Sequence, residues 1–187
     1  MGACTSTQST YNYPLYTSHP DYTSAGILFA EGPVALAGVQ KHRLLGHDDI
    51  ATLSGFGGRK EPKDFDWCHT AWREVIEELY GESVIPVELI LDLRRLIPVK
   101  EPEVERHNYV LFRLTFADLT QVLRICALPK YKLASPIYSS LPLTLEDLIL
   151  KRQPKSHTEV GTLSLVPISH DVSVDTYFTE DLAALRN

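Results

Sequence analysis

The chain has 187 residues, a net charge of −6 and a mean hydropathy of −0.10, with 44% hydrophobic and 22% charged residues. These values suit one compact domain plus an extension and are ordinary for a soluble globular protein with a substantial core. No apolar run approaches the length that crosses a bilayer, and no stretch resembles a cleavable secretory signal. Three cysteines, Cys4, Cys68 and Cys126, form no CxxC pair and leave one unpaired in any disulfide scheme. An intracellular, cytoplasmic setting is therefore expected.

In chain order, residues 1–22 are rich in Ser, Thr and Tyr without sustained periodicity and read as a flexible tail. Its tyrosines, Tyr11, Tyr13, Tyr16 and Tyr22, either stack on bases or pack on the domain surface. From Ser24 the pattern changes. Ala25–Ala30 reads as a buried strand, residues 31–33 as a turn and Val34–Lys41 as a second strand. Ile50–Phe56 leads into a turn at Gly57-Gly58. Residues 66–80 form the strongest helix, with Asp66 as N-cap and Ala71, Val75 and Leu79 as its core stripe. Val87–Val99 and Asn108–Phe116 read as strands around a charged loop, residues 100–106. Residues 118–127 and 144–152 read as helices, Gly161–Ile168 as a strand and Thr179–Leu185 as a closing helix. Strands alternate with helices without internal repeats, so one α/β (α+β) domain over 23–187 is expected.

The chemistry concentrates beside that strongest helix. Glu74, Glu77 and Glu78 stand at i, i+3 and i+4 and so project from one face. Like charges at this spacing repel, which argues for a positive partner. A hard divalent cation with oxygen ligands, Mg²⁺ or Mn²⁺, fits best. Gly57-Gly58 lets the backbone approach, and the Gly57 carbonyl is a further candidate ligand.

Gly58, Asp64, Arg73, Glu74, Val75, Glu77 and Glu78 follow one another in an order that resembles the Nudix hydrolase box, G-x5-E-x7-R-E-U-x-E-E-x-G-U. Three departures are visible. Asp64 stands for Glu, one extra residue separates it from Arg73, and Tyr80 replaces a glycine that arrives as Gly81. The resemblance implies a mixed sheet sandwiched between helices and hydrolysis of a pyrophosphate bond in a nucleoside diphosphate linked to another group. It also implies metal ligation by Glu74 and Glu78, with Glu77 in the cluster. Arg73 is expected to pair with Asp64 or a neighbouring carboxylate and to fix the loop against the helix. Arg59 and Lys60, directly after the glycines, are assigned to substrate binding.

Many members of that family add a carboxylate from a later loop as ligand or base. Glu159 is the candidate, with Glu101, Glu103 and Glu105 as rivals. His69 reads as a surface or supporting residue and Cys68 as a buried structural thiol. The substrate is a nucleotide-derived small molecule or the 5′ cap of RNA. The surplus of Lys and Arg over residues 90–155 leans towards RNA, and the overall acidity towards a small molecule. Alternatives are a catalytically weak nucleotide- or RNA-binding module, and a membrane-tethered adaptor. The latter rests on Met1-Gly-Ala-Cys-Thr-Ser6, which fits an N-myristoylation pattern with Cys4 as a second acylation site.

Overall fold

The computed structural model describes residues 22–42, 50–99, 102, 104–106, 108–155, 158–169 and 176–186. Among them seven strands form one sheet: β1 (Ser24–Glu31), β2 (Val34–His42), β3 (Ile50–Ser54), β4 (Phe56–Arg59), β5 (Val104–Arg106), β6 (Tyr109–Leu114) and β7 (Val160–Pro167). The order is β3-β2-β1-β6-β5, with β4 added to β1 and β7 added to β2. The β1–β6 pair is parallel and the other pairs are antiparallel. The sheet is therefore mixed, and the fold is α+β.

Five helices accompany it: α1 (Trp67–Tyr80), α2 (Val87–Leu96), α3 (Phe116–Cys126), α4 (Leu145–Leu150) and α5 (Thr176–Ala184). Strand β1 shows why the sheet is covered twice. Ala25, Ile27 and Phe29 face a core shared with α1, α2, α3 and α4. Leu28 and Ala30, on the opposite pleat, join a second core with Phe178 and Leu182 of α5. A strand buried on both faces must read as a continuous apolar run, as this one does. No helix among the described residues is long and apolar enough to cross a membrane.

Helix α1 begins where Asp66 accepts a hydrogen bond from the His69 N–H at 2.8 Å. It ends where Gly81 takes the left-handed conformation, φ 67°, and donates to the Glu77 carbonyl. Ala71, Val75 and Leu79 are fully buried as the spacing predicts. The burial extends further than one stripe, because twelve of its fourteen residues are buried, Glu78 included. The glutamate face looks onto β4 rather than into open solvent.

Three sequence expectations are corrected. Gly57 and Gly58 are not a turn: they lie in β4, paired with Gly26 and Ala25 of β1. A Cβ at Gly57 would stand 2.7 Å from the Gly26 Cα and 2.9 Å from the Ala25 carbonyl oxygen. Glycine is needed there for close approach, not for a left-handed backbone. Val87–Val99 is not a strand: its first ten residues are α2. Leu89, Leu91 and Leu93 alternate like a strand, but Leu89, Ile90 and Leu93 are what the core buries, and Glu88 and Arg94-Arg95 suit the two ends of a helix dipole. The expected loop 100–106 contains β5. Tyr22 takes the packing alternative rather than stacking on bases: it is buried, and its hydroxyl is 3.3 Å from the Thr70 hydroxyl. Tyr11, Tyr13, Tyr16 and the 1–6 acylation pattern lie outside the described residues.

Candidate carboxylate site between helix α1 and strand β4

Arg73 organises the site. It is buried, and its Nε and Nη2 donate to both Asp64 oxygens at 3.0–3.3 Å. Nη2 also donates to the Arg59 carbonyl at 2.7 Å and lies 2.9 Å from Glu74 Oε1, while Nη1 lies 2.9 Å from Glu77 Oε2. Asp64 receives further bonds from the Glu61 N–H and the Thr70 hydroxyl. Arg73 thus fixes the 59–64 loop against α1, as the sequence suggests. Burial alone would raise Asp64, but the Arg73, Glu61 and Thr70 donors outweigh it and hold Asp64 below the usual carboxylate range. The Arg73 pKa moves up, since its carboxylate partners outweigh its burial.

The glutamates beyond Arg73 are treated differently. Burial pushes Glu74 up to about 7; Glu77 and Glu159 add to the shift, and Arg73 opposes it. Burial also raises Glu77, against Arg73, with Glu61 adding to the rise. Glu78 is buried and accepts the Gly57 N–H on Oε2 at 2.9 Å. The Glu74 carboxylate rests on Gly58 so closely that a Cβ on Gly58 would overlap it. Strand β4 is therefore glycine twice for two reasons, Gly57 for its strand neighbour and Gly58 for Glu74.

Glu159 lies just ahead of β7, exposed, and close enough for its charge to act on Glu74. Three helix glutamates and one from a distant part of the chain thus share a neighbourhood. Of the rivals, Glu105 lies in β5, while Glu101 and Glu103 fall outside the described residues. Arg59 and Lys60 are exposed at the end of β4, and the Lys60 ammonium sits 4.4 Å from the centre of the Tyr22 ring.

Carboxylate oxygens are the donors a hard cation takes, and a glutamate held near neutrality by burial and like charge gains most from one. The donor chemistry fits Mg²⁺ or Mn²⁺. Among the described residues, however, no group of three or more His, Cys, Asp or Glu side chains is arranged to hold a metal ion. Glu74 and Glu77 are both ion-paired with the Arg73 guanidinium.

His69 is buried rather than on the surface, with Nε2 3.8 Å from Asp64 Oδ1, and desolvation lowers its pKa. It is neutral packing beneath the loop. Cys68 is buried, and desolvation pushes its thiol up to about 12, which leaves no thiolate for nucleophilic work.

Two supports have no counterpart in the sequence motifs. Arg94 of α2 is 2.7 Å from the N-cap Asp66 and ties α2 to the start of α1. Arg152, after α4, binds the other end of α1. A lone arginine carries no signal of a partner tens of residues away. No protein-family model matches the chain, and no curated protein matches it.

Proposed function

We propose that the chain is a divalent-cation-dependent pyrophosphohydrolase of the Nudix type. Its substrate is a nucleoside diphosphate linked to another group, either a nucleotide-derived small molecule or the 5′ cap of RNA. One observation carries the reading: Glu74 is packed on Gly58, where burial outweighs Arg73 and raises its pKa, with Glu77 and Glu159 close enough for their charges to add to the rise.

In this reading Glu74 and Glu78 hold the cation, Glu77 and the Gly57 carbonyl stand beside it, and Mg²⁺ or Mn²⁺ is the cofactor. When bound, such an ion lowers the pKa of water and neutralises charge on phosphoryl oxygens. Glu159 is a further cation ligand from the later loop or the base for the attacking water, and Arg59 and Lys60 receive the substrate phosphates. Arg73 keeps the loop and the helix in register. A second reading, a nucleotide- or RNA-binding module without turnover, is favoured by the hold of Arg73 on Glu74 and Glu77.

The test is nucleotide or phosphate release from a panel of nucleoside diphosphate derivatives and capped RNA, with Mg²⁺ or Mn²⁺ and with EDTA. Glu78→Gln keeps an acceptor for the Gly57 N–H and removes a charge. Its turnover should fall more than about a hundredfold, beyond what loss of a ligand's support causes. Turnover in EDTA, or an unimpaired Glu78→Gln enzyme, overturns the hydrolase reading. Cation-dependent nucleotide binding without release selects the binding module. Within the hydrolase reading, faster cleavage of a long capped transcript than of the cap dinucleotide, with steep salt sensitivity, selects RNA.

A further inference from the structure

Arg152 is a buried cation whose partners are all oxygen dipoles. Its Nη1 donates to the Leu79 carbonyl at 2.6 Å and lies 3.2 Å from the Tyr138 hydroxyl; Nη2 donates to the Glu78 carbonyl at 2.8 Å. The other half of the fork reaches β7, with Nη2 to the Val160 carbonyl at 2.6 Å and Nε to the Gly161 carbonyl at 2.7 Å. All five N–H donors of the guanidinium are thereby used.

Both ends of this clamp are places where the backbone lacks ordinary partners. The last four carbonyls of a helix have none within it. In α1 the Glu77 carbonyl takes the Gly81 N–H and the Tyr80 carbonyl takes the Ser135 hydroxyl, which leaves those of Glu78 and Leu79 to Arg152. In β7 the register against β2 shifts between Gly38 and Gln40, so a bulge falls beside Val160 and Gly161. Bulges re-aim the neighbouring chain and need outside hydrogen bonds to hold their shape. One side of the clamp therefore carries Glu78 and the other side follows Glu159.

We propose that Arg152 is a positioning residue for the carboxylate site, setting the distance between Glu78 on α1 and Glu159 ahead of β7. The inference rests on the cation-binding reading above. Lysine keeps the charge at this position but cannot fork over four carbonyls.

The experiment is Mn²⁺ titration of the full chain by calorimetry, without substrate. Arg152→Lys should weaken Mn²⁺ binding about 10–100-fold, the range for residues that orient ligands. Leu119→Ala, a core truncation in α3, serves as a control for lost stability and should bind as wild type does. Glu159→Gln should weaken binding clearly in the wild-type background and far less in Arg152→Lys, since a misplaced carboxylate has less to lose. Should Arg152→Lys not fold, Tyr138→Phe removes one contact of the clamp and should shift affinity in the same direction by less. Wild-type Mn²⁺ affinity retained in Arg152→Lys or Tyr138→Phe, a loss matched by Leu119→Ala, or additive effects of Arg152→Lys and Glu159→Gln would each overturn the positioning role while leaving the cation site standing. A wild-type chain that binds no Mn²⁺ overturns the cation site and the positioning role together.

Discussion

The two ends of the Arg73 network hold the same chemical group in opposite conditions. Asp64 has two arginine nitrogens, a backbone N–H and a hydroxyl around it, and its pKa lies below the usual range. Glu74, 2.9 Å from the same guanidinium, has like charges from Glu77 and Glu159 and a pKa of about 7. Burial raises both and is the largest effect on each. What separates them is whether the donors around each carboxylate outweigh that burial: at Asp64 they do, and the carboxylate fixes the loop, while at Glu74 they do not.

The hardest way to break the comparison is to discharge its scaffold side. Asp64→Asn removes a buried partner of Arg73 and should cost about 3–5 kcal/mol. For a chain of this size each kcal/mol lowers Tm by about 2–4 °C. Because the folded pKa of Asp64 is depressed, its contribution is complete above the ordinary value of 3.8 and is lost as pH falls through the folded value. Thermal melts of wild type and variant should therefore converge in acid and diverge at neutral pH. A variant as stable as wild type at pH 7 would mean that Asp64 is not the anchor.

The paired glycines sharpen the comparison next. Gly57→Ala drives a Cβ into the backbone of Gly26 and Ala25, which cannot swing aside, and should cost about 1–3 kcal/mol. Gly58→Ala meets first the movable end of Glu74, so its stability should change by less than about 1 kcal/mol. Its Mn²⁺ affinity should nonetheless fall about 10–100-fold as Glu74 is displaced. Denaturant melts and Mn²⁺ titration of the pair decide this, and equal stability losses would refute the division of roles.

A smaller effect is expected at the edge of the chemical side. Glu159→Gln should lower turnover about a hundredfold, the low end for a proton-transfer group, with Tm unchanged because the residue is exposed. A larger loss from Glu101→Gln, Glu103→Gln or Glu105→Gln under the same assay would move the assignment to the earlier segment.

The smallest expected effect is a pH difference without any cation. Glu74 has a raised folded pKa, so its stabilising contribution is complete below the ordinary 4.5 and is lost as pH rises through about 7. Glu74→Gln does not titrate. In EDTA its Tm should gain on wild type between about pH 5 and 8, the span around the raised value, and added Mn²⁺ should restore the wild-type advantage. Parallel Tm profiles in EDTA would show that Glu74 is already fully neutralised.

Local signals are legible in the amino-acid order itself. Asp66 as N-cap, the buried run of β1 and the Thr144 start of α4, whose hydroxyl accepts the Asp147 N–H, follow from side chains acting on their own neighbourhood. The order misleads where two periods fit at once, as in α2, where leucines alternate while the buried set repeats helically. It misleads again at Gly57-Gly58, because glycine marks both a turn and a close contact, and only the facing strand decides which. In the site, the pairing of Arg73 with Asp64 is legible from their shared motif. The linkages of Arg152 and Arg94 are not, because their partners stand far off in the chain.

By itself the sequence determined the spacing of Glu74, Glu77 and Glu78, the capping of α1 and the apolar runs of the sheet, since these depend on residues within a few turns of each other. The tertiary structure decided how Glu74 and Glu77 titrate. That depends on which donors Arg73 shares out, on β4 closing over Glu74, and on the chain returning at β7 to bring Glu159 alongside. Electrostatic energy is set by distance through space and by burial, and neither is a property of position along the chain.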